Sequence, residues 1–157
     1  MKNKTCCVAG HHDIPADQLE YVMQELRFEV EQAIVDGYTH FLTGFTEGTD
    51  QFFAETVIAA QRTNIEIDLE AVLPYRYRYN ELLCNEKTSS LILDCAEIGF
   101  SNEKKVPNGY SINRRIQLQR SSRMIAVYDG RDTGNTLSAI RMAHAHRVII
   151  KEISLWV

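Results

Sequence analysis

The sequence predicts an α/β protein with a largely parallel central sheet flanked by helices. Two observations carry this. Short apolar runs alternate with helical stretches from one end of the chain to the other, and those runs are near-continuous rather than alternating in polarity. Near-continuous apolar strands are expected where both faces of a sheet are covered, and strand–helix alternation is the pattern of parallel crossover units.

The elements follow in order. "KTCCVAG" ends in Gly10 and reads as the first strand, with "HHDIP" as a turn. A helix starts near Pro15, a residue tolerated in a first helical turn, and Leu19, Val22, Met23, Leu26, Val30, Ala33 and Ile34 form its apolar stripe at 3/4 spacing. Gly37 is its expected stop. "YTHFLTG" is the second strand, and Thr49 or Asp50 is expected to cap the helix "QFFAETVIAAQR" after the polar turn "FTEGTD". "IEIDLEAVL" is the third strand, closed by Pro74, and residues 75–95 read as a loop plus a helix. "AEIGFS" is a short fourth strand, "NEKKVPNG" a loop and "YSINRRIQLQRSS" a helix. "RMIAVYDG" is the fifth strand, "TLSAIRMAHAH" the next helix and "RVIIKEISL" the last strand.

Composition narrows the function classes. A chain of 157 residues fits one domain, taken here as 1–157, with a single sizeable core. The formal net charge of -4 argues against a dedicated nucleic-acid binder, which usually carries a basic excess. No apolar run reaches the ~20 residues of a membrane span, and no long apolar segment marks a signal peptide, so the expected location is the cytoplasm. Cys6, Cys7, Cys84 and Cys95 include no CxxC pair and are expected to be reduced, buried thiols. His144 and His146 lie two apart in a helical run, face different ways and do not suggest a metal pair. No metal site is expected. A homo-oligomer is plausible for an α/β chain of this size.

Parallel sheets bind ligands outside the carboxyl ends of their strands, so the strand-end loops are the place to look. In "AGHHDIP", Gly10 leaves room for close approach to the backbone, and His11 and His12 suit hydrogen bonds to a phosphate or sugar; an ordinary polar turn fits the same residues. In "TGFTEGTD", Gly44 and Gly48 flank a turn before Thr49 and a helix start, where free amides and the helix dipole favour anions. Glu47 and Asp50 suit ribose hydroxyls, and Asp50 equally suits a plain N-cap. In "YDGRDTGNT", Gly130 and Gly134 permit positive φ, Thr136 can cap the next helix, and the amides of Asn135, Thr136 and Leu137 offer an anion cradle. Asp129 has to face a sugar or base, or stay outside, because a carboxylate repels phosphate. Arg114, Arg115 and Arg120 on one helix suit steering of an anion, and "YRYRY" at residues 75–79 suits base stacking; both also fit a solvated surface.

These loops resemble the bacterial YpsA-like family of the SLOG superfamily, which also holds the LOG-type phosphoribohydrolases and the DprA-type DNA-processing proteins. The resemblance runs over nearly the whole chain: "AGHH" at 9–12 is similar to the family's "TGHR", "TGFTEGTDQFFAE" at 43–55 to its Gly-rich turn, and "LPY" follows the third strand. "MIAVYDGRDTGNT" is similar to the family's "LIAVYDG" followed by a Gly-Gly-Thr turn. The resemblance implies a Rossmann-like three-layer fold with a mostly parallel central sheet flanked by helices. It also implies a nucleotide or nucleotide-derived ligand of the ADP-ribose or NAD kind, bound or sensed around Gly10, His11, Gly44, Gly48, Asp50, Gly134 and Thr136, with no other cofactor expected.

Three positions depart from the family. His12 stands where the family has arginine, Asn135 stands for the second glycine of Gly-Gly-Thr at a position where left-handed geometry is expected, and Asn113-Arg114 reverses the family's Arg-Asn pair. LOG enzymes carry a PGGxGTxxE motif whose glutamate assists N-glycosidic cleavage. Leu137, Ser138 and Ala139 follow Thr136 here, so that glutamate is missing. A phosphoribohydrolase reading therefore needs another acid, with Glu47 and Asp50 as catalytic candidates and Asp129 behind them. A DprA-like single-stranded DNA binder is the third reading, placed last by the acidic balance.

Overall fold

The computed structural model describes residues 4–156. The elements are β1 (Thr5–Gly10), α1 (Leu19–Val35), β2 (His40–Thr43), α2 (Thr49–Gln61), β3 (Asp68–Leu73), α3 (Tyr77–Leu83), α4 (Glu86–Leu93), β4 (Glu97–Phe100), α5 (Gly109–Arg120), β5 (Arg123–Tyr128), α6 (Asn135–Ala145) and β6 (Ile149–Ser154). The strands form one six-stranded sheet in the order β4-β3-β2-β1-β5-β6, and every neighbouring pair is parallel. The fold is the Rossmann-like α/β arrangement that the strand–helix alternation predicts.

Period-two alternation within β1 divides the core. Cys6 and Val8 pack with Val22, Leu26, Phe53 and Val57 of α1 and α2, whereas Cys7 and Ala9 pack with Leu118 of α5 and Ala139 and Ala143 of α6. Both faces of β1 are fully covered, which explains its unbroken apolar run. At the end of α1, Gly37 has φ 93, with its amide bonded to the Ile34 carbonyl and the Tyr38 amide to the Ala33 carbonyl. The chain thereby leaves the helix in left-handed geometry as expected.

Three details differ from the sequence reading. Residues 75–95 form two short helices, because Asn85 breaks the run and its side chain accepts the Lys87 amide at the start of α4. β3 starts at Asp68 rather than Ile65, which is 92% exposed and precedes the first pairing with β2. Cys84 is exposed, whereas Cys6 and Cys7 are buried. Among the described residues no helix is long and apolar enough to cross a membrane.

The strand starts carry a polar cluster of their own. His40 bonds to Asp68 and, at 2.8 Å, to Glu70, which also takes two hydrogen bonds from Arg120. Burial alone would raise the Glu70 carboxyl, but the bonds from Arg120 and His40 outweigh it and bring its pKa down to about 2.

Candidate functional site

β1 to β4 step in one direction across the sheet, and β5 then returns to the other side of β1. Strand order reverses between β1 and β5, so the crevice above their carboxyl ends is where such a sheet leaves room for a ligand. A cavity of about 760 Å³ opens there. Gly10, Gly44 and Gly134 all line it, so the three strand-end loops converge on one space. His11, His12, Glu47, Asp50, Asn135 and Thr136 also line it.

The loops are fastened to one another by polar groups. The Thr49 hydroxyl donates to the His11 carbonyl at 2.8 Å, and the Thr49 amide reaches the same oxygen at 3.3 Å. The imidazole of His11 crosses to the third loop: Nδ1 lies 3.3 Å from Thr136 Oγ1, and Nε2 lies 3.1 Å from Asp129 Oδ1 and 3.2 Å from the Asp129 amide. Burial pushes the His11 pKa down against the opposing pull of Asp129, so the ring is neutral at pH 7.

Several predicted roles change on this geometry. Thr49 and Asp50 do not cap α2, and Thr136 does not cap α6; Gly48 and Gly134 occupy the N-cap positions, and neither helix has a side-chain cap. Thr49 and Thr136 instead spend their hydroxyls on His11. The start of α2 is not a free anion site, because the His11 carbonyl already holds its first amide. Gly10 is required by packing: a Cβ there would lie 2.3 Å from Thr49 Oγ1, so its space is filled by the protein itself. Gly48 lies against the His12 backbone and faces a neighbouring recess instead. Positive φ falls on Gly130 and Gly134, at 86° and 106°, whereas Asn135 is the first residue of α6 and needs no left-handed geometry.

The start of α6 is the open one. Among the described residues no group bonds the amides of Asn135, Thr136 or Leu137, and Gly134, Asn135 and Thr136 face the cavity. Four unpaired amides and the dipole at a helix start favour an anion. Asp129 does not oppose one. Bonds from Arg131 hold its carboxyl well below the usual range, and its charge is matched by that guanidinium at 2.6 Å. Asp129 and Gly130 stand beside the cavity rather than in its lining.

Asp50 is the buried acid of the site, 2% exposed. Its Oδ2 accepts the Thr46 amide at 3.4 Å and lies beside Gly44, Gln117 and Asn113. Burial raises its pKa, and the nearby Arg114 pulls it back, so it is the group suited to hold or release a proton at neutral pH. Glu47 is exposed at the rim. Phe45, between them, is fully buried with φ 58, a conformation costly for a non-glycine residue and common near functional sites. It is held by its amide on Thr43 Oγ1 and by Arg78, which donates to its carbonyl at 3.1 Å.

Sequence reasoning identified the loops but underweighted α5. Asn113 and Gln117 are buried, bond to one another at 2.7 Å and line the cavity, while Arg114 donates to the Val8 carbonyl at 2.6 Å. The signal was the polar pair at i,i+4 astride an arginine, on a helix with few apolar residues. Of the arginines named from sequence, Arg114 lines the cavity, Arg120 is paired with Glu70 at the strand starts, and Arg115 is exposed. Arg78 and Tyr110 complete the rim. Among the described residues no cluster suits a metal ion.

No protein-family model matches the chain, and no curated protein matches it. Among solved structures, the chain is similar to DNA processing protein A from Helicobacter pylori, a single-stranded DNA binder, with a TM-score of 0.68 over 96% of this chain. The identity is 12%, and the chain spans 65% of that neighbour. The similarity is therefore one of fold, shared with a protein of the superfamily that the strand-end motifs resemble.

Proposed function

We propose that this protein binds a nucleotide or nucleotide-derived ligand at the β1/β5 switch point, as a YpsA-like member of the SLOG superfamily. The phosphate rests on the amides of Asn135, Thr136 and Leu137, and a sugar hydroxyl bonds Asp50. One observation carries the reading: three strand-end loops enclose a cavity of about 760 Å³ whose helix start has unbonded amides. Arg78, Arg114 and Arg131 in the lining favour an anionic ligand over a neutral one.

The test is Asn135→Asp. A carboxylate in the first turn of α6 suits the helix dipole and leaves the fold intact, but it occupies the phosphate position. AMP should raise the melting temperature of the wild type at millimolar concentration. The variant should melt at least as high without ligand and bind AMP at least ~10-fold more weakly, about the cost of one charge-assisted hydrogen bond. No shift of the wild type with any of AMP, ADP-ribose or NAD rejects the reading.

Single-stranded DNA binding is the second reading. The structural neighbour supports it, and so do Tyr77 and Tyr110, 66% and 52% exposed beside Arg76 and Arg78, since bases stack on such rings. It is favoured if oligothymidylate binds with a steep salt dependence and Tyr110→Ala weakens that binding while leaving AMP unaffected.

A further inference from the structure

A second recess of about 480 Å³ lies against the first cavity. His12 and Glu47 line both spaces and form the saddle between them. Its floor is apolar, from Ile14, Leu19 and Phe52, and Gln51 and Glu55 stand on its polar wall. Among the described residues, the side chains of Glu47, Gln51 and Glu55 make no hydrogen bond or ion pair. An apolar floor with a few convergent, unpaired polar groups is the usual composition of a small-molecule subsite, and the volume lies within the usual range of roughly 300–1,000 Å³.

The charge of this recess differs from that of the first cavity. Glu47 and Glu55 face it against one lysine, Lys87, and it has no arginine in its lining. It therefore disfavours a phosphate and suits hydroxyls and an uncharged or cationic ring. Carboxylates hold ribose hydroxyls in nucleotide sites, and the Phe52 ring suits a base.

We infer that the recess is a nucleoside subsite, and that the ligand is two-headed: two nucleoside halves joined by a diphosphate. The first cavity takes the phosphates and one half. The chain of the ligand crosses between His12 and Glu47, and the second half lies on Phe52 with its ribose hydroxyls on Glu55. This inference rests on the nucleotide reading of the first cavity and adds the class of nucleotide.

The test compares NAD and AMP by calorimetric titration of wild type and Glu55→Ala. Glu55 is exposed on α2, so its truncation spares the core. NAD should bind wild type at least tenfold more tightly than AMP, and Glu55→Ala should remove most of that advantage while leaving AMP unchanged. Equal affinities for NAD and AMP, or equal weakening of both by Glu55→Ala, overturn the two-headed ligand and leave the nucleotide reading standing. Failure of both ligands to bind overturns the two together.

Discussion

His11 Nδ1 lies 3.3 Å from the Thr136 hydroxyl, so a residue at the end of β1 is bonded to the first turn of α6 across the switch point. With Nε2 facing Asp129, the ring joins two loops far apart in sequence and sets the mouth of the cavity between them. The bond is possible because β1 and β5 are neighbours in register, Gly10 opposite Val127.

The two partly buried histidines should respond to pH in opposite directions. Burial lowers the His11 pKa, so the unfolded chain takes up that proton first and His11 costs stability as pH falls through about 6.5. The hydrogen bond to Glu70 raises the His40 pKa, so its contribution is full below about 6.5 and is lost as pH rises through the higher folded value. Urea unfolding from about pH 5 to 9 should show His11→Asn losing least stability, relative to wild type, at the acid end. His40→Asn should lose most there. Parallel curves for the two variants contradict this assignment.

Asp50 carries a cost that its replacement relieves. Its folded pKa is raised, so the protonated form favours the native state and that advantage disappears as pH rises through the folded value. Asp50→Asn keeps the size and the acceptor for the Thr46 amide. It should be as stable as wild type at pH 7 or more so, while AMP affinity falls about tenfold through loss of a charged sugar contact. A large loss of stability with unchanged affinity marks Asp50 as a structural residue instead.

Gly10 and Gly130 should differ in what an added methyl group costs. At Gly10 the new Cβ meets Thr49 from 2.3 Å, in a buried strand end, and overpacking of this kind costs roughly 1–3 kcal/mol. At Gly130 nothing lies within 4 Å, and the cost is that of φ 86 alone, about 1 kcal/mol. Denaturant midpoints of Gly10→Ala and Gly130→Ala should fall in that order, and the reverse order removes the packing role of Gly10.

The fold was legible because the strands are buried on both faces and read as apolar runs whatever their neighbours. Strand order was less so. Nothing local to "RMIAVYDG" says that β5 returns beside β1; that is decided by which faces the helices cover. The strand-end loops were found by their glycines, yet the reasons for those glycines were partly mistaken. Gly10 and Gly48 make room for Thr49 and His12, partners that sequence spacing does not reveal. Asn113 and Gln117 were passed over because a buried polar pair looks the same in sequence as a solvated one. The break at Asn85 was readable in principle, since asparagine is a good N-cap.

The most direct measurement is an NMR titration of the labelled protein with AMP. The account predicts that the backbone amides of Asn135, Thr136 and Leu137 shift in a saturable way, together with that of Gly44 across the cavity. Amides at the start of α6 that stay unmoved while the protein binds AMP elsewhere, or at no site up to millimolar ligand, contradict it.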